Sequence, residues 1–437
     1  MAVIKAEIPA RDQAGPATLI LRFADVGVAT YGTLRVVADP ARTVVWVLDE
    51  SALAAVDELL AATLPVPVGE ESTGQAVRRA LTTGSFVEPN PELEFARGLG
   101  SLLPDDAWNL LSQCLSEPRA TLYVTPTARL ARIPFAILAV PAAVSSGGDG
   151  PHGQAYRLME MADVVMALPA GIAAAQRSVS RWADRRDDSA VLILDPRIPG
   201  QRPDSPLGSV LGRPSPDMPL ARHFADQPPA ELRPYTSDPV ELFRRSDTDR
   251  RWLSEVLQSR PSRLLFVGHA GAAPGDAGYA ERAAIHLSCS ASGPGYADAV
   301  GEHRPFTAAD ILGDIDRWPM PPRIAMVACE SGGDLRFDEA TGMVAAMVLA
   351  GAETVTATLW PLPTTAGYRQ WVPGAGIDAG DPMTEMVIAV DTAHRADDAV
   401  RALGRWQRAQ MRRWRSGDLR AHPIYWGAMA TFSVGRL

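Results

Sequence analysis

Three short runs in this chain are apolar almost from end to end and then stop at a polar or reactive side chain. They are "VLILD", closed by Asp195, "RLLFVGH", closed by His269, and "RIAMVAC", closed by Cys329. Runs of this length without polar alternation read as strands buried on both faces of a sheet, which is the signature of parallel sheets. Between them lie stretches with helical spacing, such as "TGMVAAMVLAGA", which ends at Gly351 as a helix C-terminus should. "ATLYVTPT" and "ETVTATLW" read as further strands. Strands alternating with helices predict an α/β fold: a mostly parallel sheet with right-handed crossovers, flanked by helices on both faces.

The beginning of the chain follows a different rule. "ATLILRF", "TLRVVAD" and "TVVWVLD" alternate or are broken by turns, and "SALAAVDELLAAT" follows with Ser51 at the expected N-cap. This predicts a small N-terminal α+β domain over residues 1–90, with the second domain over 91–437; 437 residues accommodate both. Two stretches are long and poor in pattern, Asp195–Pro219 and "AVPAAVSSGGDGPHGQ" at 139–154. Both read as variable surface loops.

Bulk properties narrow the function. A net charge of −9 excludes the broad basic footprint of a general nucleic-acid binder. Cys114, Cys289 and Cys329 are an odd, widely spaced set without a CxxC pair, which fits a reducing compartment rather than a disulfide framework. The N-terminal residues carry acids and prolines where a secretory signal needs an apolar core, and the longest apolar stretch is too short to span a bilayer. A soluble, cytoplasmic protein is expected, without membrane contact. No histidine or cysteine spacing suits a metal, and there is no P-loop, GxSxG elbow or dinucleotide glycine pattern, so neither metal nor cofactor is expected.

In open parallel sheets, reacting groups gather beyond the carboxyl ends of the strands. His269 and Cys329 close two strands of matched character, sixty residues apart. A thiol attacks a carbonyl as thiolate, and a neighbouring imidazole is the usual means of generating one. Gly268 and Gly271 flank the histidine, and Gly332 and Gly333 follow the cysteine. Each residue alone is more often structural, since free cysteine is among the most buried residue types. As a pair they point to a dyad, and Asp195 is a candidate for orienting the base. Cys114 reads as core. His286 and Cys289 read as packing or surface residues, and His303 and three others sit in polar, loop-like contexts. "RWQRAQMRRWRSG" reads as a helix with tryptophans inward and arginines in solvent.

From about Leu93 to the C-terminus, ordered blocks resemble one family. "TLYVTPTARLARIPFAIL", "LMEMADVVMALPAG", "LLFVGHAG", "IAMVACESGG", "GMVAAMVLAGAETVTATLWPLP" and "HPIYWGAMATFSVG" follow each other as in the CHAT domain. That module is a caspase- and separase-like cysteine peptidase of clan CD. The resemblance implies a caspase-like sheet, His269 as general base and Cys329 as nucleophile on a protein or peptide substrate. The oxyanion would be held by the amides of Cys329 and of Ala270 or Gly271. Asp195, Glu330, Trp360 and Thr364 are the substrate-binding candidates.

Two residues depart from the family pattern. Ala270 replaces the glycine usual after the histidine, and a positive φ there would cost an alanine about 1 kcal/mol or more, shifting the oxyanion hole. Thr364 stands where relatives that cleave after basic residues carry an acid, so a small or apolar P1 residue is expected instead. The alanine-, arginine- and proline-rich composition fits a bacterial source. Bacterial CHAT domains are often fused to sensing modules in defence systems, which implies a protein activator or partner acting through residues 1–90. The competing reading is a catalytically degenerate scaffold that acts by binding.

Overall fold

A computed structural model describes residues 15–141, 155–169, 171–172, 175, 179–271, 280–328, 342–375 and 380–434. Eleven strands form one sheet in the order β3-β2-β1-β4-β5-β14-β13-β12-β8-β6-β7. In chain order these are β1 (Thr18–Asp25), β2 (Thr30–Val36), β3 (Asp39–Leu48), β4 (Ala120–Thr125), β5 (Ala162–Ala167), β6 (Ala190–Leu194), β7 (Leu232–Arg233), β8 (Arg263–Gly268), β12 (Arg323–Ala328), β13 (Thr354–Thr358) and β14 (Met429–Ser433). The intervening β9 (Ala270–Gly271), β10 (Ala284–Ile285) and β11 (Phe306–Thr307) make a small antiparallel sheet.

Seven of the ten pairings in the large sheet are parallel; β1–β2, β2–β3 and β13–β14 are antiparallel. The unbroken apolar runs are the buried centre: every residue of β6, β8, β12 and β13 is buried. The alternating N-terminal strands bury every second residue, as a sheet with one solvated face should.

The expected boundary near residue 90 falls inside α3 (Pro89–Gly100), which follows α1 (Glu50–Thr63) and α2 (Thr73–Thr82). Sheet and core run straight through it. β1 pairs in parallel with β4, setting Leu19 opposite Leu122, and both belong to one continuous core. Just past that boundary, buried Arg157 donates to buried Glu92 of α3 at 2.7 Å, fixing the helix that spans it. The α1 N-cap is Asp49 rather than Ser51: its carboxylate accepts from the Ala52 amide at 2.8 Å. Ser51 is one residue inside the helix, and its hydroxyl donates to that same carboxylate.

Cys114 is buried, as read from the sequence. The arginine-rich segment is the helix Ala399–Arg415, with Trp414 1% exposed. Its arginines are largely neutralised: Arg401 and Arg408 pair with Asp163, and Arg413 with Glu385 and Asp418. Among the described residues no helix is long and apolar enough to cross a membrane.

Candidate active site

The ends of β6, β8 and β12 lie side by side. The parallel register sets Ala328 opposite Gly268 and Val267 opposite Leu194, so the next residues in sequence are Cys329, His269 and Asp195 respectively. Cys329 and Glu330 lie outside the described residues. His269 is half-buried, and its Nε2 stands 3.0 Å from the carbonyl oxygen of Gly208. A carbonyl oxygen only accepts, so Nε2 carries the hydrogen and a neutral ring keeps its lone pair on Nδ1. Burial lowers the pKa of His269. The Gly208 bond and the charge of Asp195 oppose that shift, and Arg244 adds to it. The imidazole is therefore neutral near pH 7 and able to accept a proton at Nδ1.

Gly208 lies in the Pro- and Gly-rich stretch expected to be a surface loop; the stretch is a loop with exposed residues, but its part around Gly208 is anchored. The loop is tied down by Asp195, which is 1% exposed. The Asp195 carboxylate accepts from Ser209 Oγ at 2.6 Å and from the amides of Val210 and Leu211 at 3.1 and 3.3 Å. Arg244 donates at 3.2 Å both to this carboxylate and to the Gly208 carbonyl. Asp195 and Arg244 both hold left-handed backbone, φ 51° and 54°, which costs a non-glycine residue roughly 1–2 kcal/mol each. Strain of this kind persists only where surrounding bonds enforce it. Gly208 itself has no room for a Cβ, which would strike the backbone carbonyls of Pro203 and Arg202. The Asp195 carboxylate is thus bonded to the loop whose Gly208 carbonyl meets His269. Sequence reasoning missed Gly208 because a backbone carbonyl leaves no side-chain signature.

After His269 the chain enters β9. The His286 amide donates to the His269 carbonyl at 3.0 Å, and Ala270 pairs with Ile285. Antiparallel ladders alternate, so the Gly271 amide faces β10 while the Ala270 amide faces away from it. Ala270 is not among the residues with positive φ, so the expected strain does not arise. His286 and His303 form an imidazole pair, Nδ1 to Nε2 at 2.8 Å, and His303 Nδ1 donates to the Val300 carbonyl at 3.0 Å. Burial, then His303 and His269, push His286 down to about 3. His303, read as a loop residue, is fully buried.

A cavity of about 450 Å³ opens beside His269. Gly268, His269 and Ala328 form one side of it, and Thr364 another. Thr364 caps the helix Thr365–Trp371, its Oγ1 accepting from the Gly367 amide at 3.2 Å. Trp360 is not brought to the cavity: it is fully buried, and its indole donates to the Ile424 carbonyl at 2.9 Å. The substrate-binding expectation for Trp360 is thereby corrected, since the side chain is core.

The CHAT domain family model matches residues 98–435, well over half the sequence. The chain belongs to the CHAT domain family. No curated protein matches it in sequence. Among solved structures it is similar to two of the Saccharomyces cerevisiae separase–securin complex, at TM-scores of 0.41 and 0.39 with 9% and 10% identity. In both, 95% of this chain is covered, but it spans only 30% of the other chain's length. The matched CHAT domain begins within α3, so β1–β3, α1 and α2 precede it, although β1 completes the CHAT sheet by pairing with β4.

Proposed function

We propose that this CHAT-domain protein is a cysteine endopeptidase in which Cys329 is the nucleophile and His269 the general base. One observation carries the reading: the neutral His269 ring donates from Nε2 to the Gly208 carbonyl, leaving Nδ1 as its proton acceptor at the strand end next to the one that precedes Cys329. In this reaction Nδ1 takes the thiol proton and the thiolate adds to the scissile carbonyl. The imidazolium then protonates the leaving amine, and water hydrolyses the resulting thioester. The amides of Cys329 and Ala270 hold the oxyanion; Ala270 is preferred to Gly271 because its N–H faces away from β10.

Residues 1–90 receive the activator in this reading, within a bacterial defence system and in the cytoplasm. Support comes from the edge of the sheet, where Val45 and Val47 of β3 are 62% and 54% exposed and Val28 is 95% exposed. An apolar edge strand of this kind invites a partner chain. The same edge favours the second reading, a scaffold that acts by binding alone.

A thiol-reactive peptide probe distinguishes the two. The peptidase reading expects covalent labelling of Cys329, lost in His269→Ala, and peptide cleavage reduced to background in Cys329→Ala. A Cys329→Ala variant that keeps the biological effect, while Val45→Asp abolishes it, selects the scaffold.

A further inference from the structure

The cavity beside His269 has one wall from outside the CHAT-matched residues. Thr73, Gly74 and Val77 of α2 line it together with Leu362, Trp371 and Met383. Among the described lining residues none bears a carboxylate, an ammonium or a guanidinium. The hydroxyl of Thr364 already caps its own helix. A charged side chain entering this cavity would lose water and find no ionic partner among the described lining residues, whereas an apolar one would gain burial.

The α2 wall is held firmly. A capping box fixes its start: the Gln75 amide donates to Ser72 Oγ at 3.3 Å, and the Ser72 amide to Gln75 Oε1 at 2.7 Å. Arg79 ties its last turn to the end of α1 and the segment after it, donating to the carbonyls of Ala61 and Val66 at 2.6 and 2.9 Å and pairing with Glu71. Arg78 lies over the Trp371 ring, 4.5 Å from its centre, so the helix also sets the position of the facing wall. At Gly74 the surface is bare: a Cβ there would meet nothing within 4 Å.

We propose that this cavity takes a bulky apolar side chain of the substrate, such as leucine, methionine or phenylalanine, and that α2 sets its size, with Gly74 and Val77 as specificity-determining residues. This deepens the peptidase reading and rests on it for the identity of the ligand as substrate. It assigns part of the substrate site to the N-terminal region, so an activator bound there acts on a wall of the pocket itself.

Gly74→Leu tests the proposal, because it adds a side chain at the cavity wall where a Cβ meets nothing within 4 Å, and replaces glycine by a better helix former. Its melting temperature is expected to be no lower than that of the unaltered protein. In a peptide series varied before the scissile bond, the unaltered protein is expected to favour leucine or phenylalanine over lysine or aspartate by on the order of a hundredfold. Gly74→Leu should lower the ratio of cleavage after phenylalanine to cleavage after alanine by about thirtyfold. Preference for a charged residue, or an unchanged ratio in Gly74→Leu, overturns the pocket and leaves the peptidase reading standing. If no peptide is cleaved, the peptidase reading fails, and the pocket is tested by titrating N-acetyl-leucinamide and N-acetyl-lysinamide against the Met383 methyl resonance. Binding of the leucine compound alone, lost in Gly74→Leu, supports the cavity; no binding, or equal binding by both proteins, overturns it.

Discussion

Strands β6, β8 and β12 bury every residue, whereas β1 and β2 bury alternate ones and β3, at the edge, buries only Leu48. The central strands β6 and β8 lead directly into Asp195 and His269, and their close packing fixes where those two residues begin. The edge leaves Val45 and Val47 open to solvent but reaches back to the centre through α2, which walls the cavity beside His269. One sheet thus combines a rigid platform with a margin that a partner can approach.

Lysine at Val327 of β12 places an unpaired ammonium where the side chain is fully buried. The expected cost exceeds about 4 kcal/mol and removes cooperative unfolding near ambient temperature. Thermal melting checks it, and a Val327→Lys protein that melts within a few degrees of the unaltered one would break the contrast at its strongest point.

Next in size is Asp195→Ala. It leaves Arg244 without its carboxylate and frees the amides of Val210 and Leu211, for an expected loss of about 3 kcal/mol. Probe labelling of Cys329 should fall with it, because the Gly208 carbonyl no longer holds His269. Denaturant unfolding and labelling rate are the two measurements. A drop in stability with an unchanged labelling rate would show that the loop does not position the ring.

The difference between centre and edge also explains what was legible in the sequence. Unbroken apolar runs gave the central strands and the residues that close them, because burial on both faces is written directly in composition. Alternation gave the edge strands. The parallel pairing of β1 with β4 is not legible in the sequence, since pairing joins segments about a hundred residues apart and leaves no local mark, while the change from alternating to unbroken runs suggests a boundary. Gly208 escaped because its function rests on a carbonyl that every residue has. His303 escaped because burial in a loop is set by tertiary packing rather than by neighbours in the chain. Trp360 is a core residue donating to Ile424, and nothing in its local sequence separates a buried tryptophan from one that lines a pocket.

The third contrast is with pH. No histidine precedes residue 152, so the N-terminal strands contribute none of the histidine-linked acid sensitivity. His394 and His422 are both buried, and burial pushes each down to about 3. Their folded values lie below the unfolded value near 6.5, so the unfolded chain binds more protons between those limits. The stability they contribute is complete above about pH 6.5 and declines as pH falls towards 3, with a slope of up to about 1.4 kcal/mol per pH unit for each ring. His422 Nδ1 accepts from the Ile424 amide at 3.2 Å, capping the helix Pro423–Trp426. His422→Asn can keep that cap and cannot titrate, so denaturant unfolding from pH 7 to pH 4 should show a shallower decline. An unchanged slope would mean that the ring is not held neutral.

The smallest effect belongs to the edge itself. Val45 lies on the outermost strand, pairs only with Thr33 of β2, and is 62% exposed. A lysine there keeps its ammonium in water and lays its methylenes along the sheet, so the expected change in stability is within about 0.5 kcal/mol. The consequence should appear in association: a charged edge strand resists pairing with another chain. Val45→Lys is therefore expected to melt like the unaltered protein yet bind an edge-directed partner more weakly, and, if the chain self-associates through this edge, to sediment as a smaller species. A loss of stability comparable to that of Val327→Lys would show that the edge is packed as tightly as the centre and would remove the distinction between them.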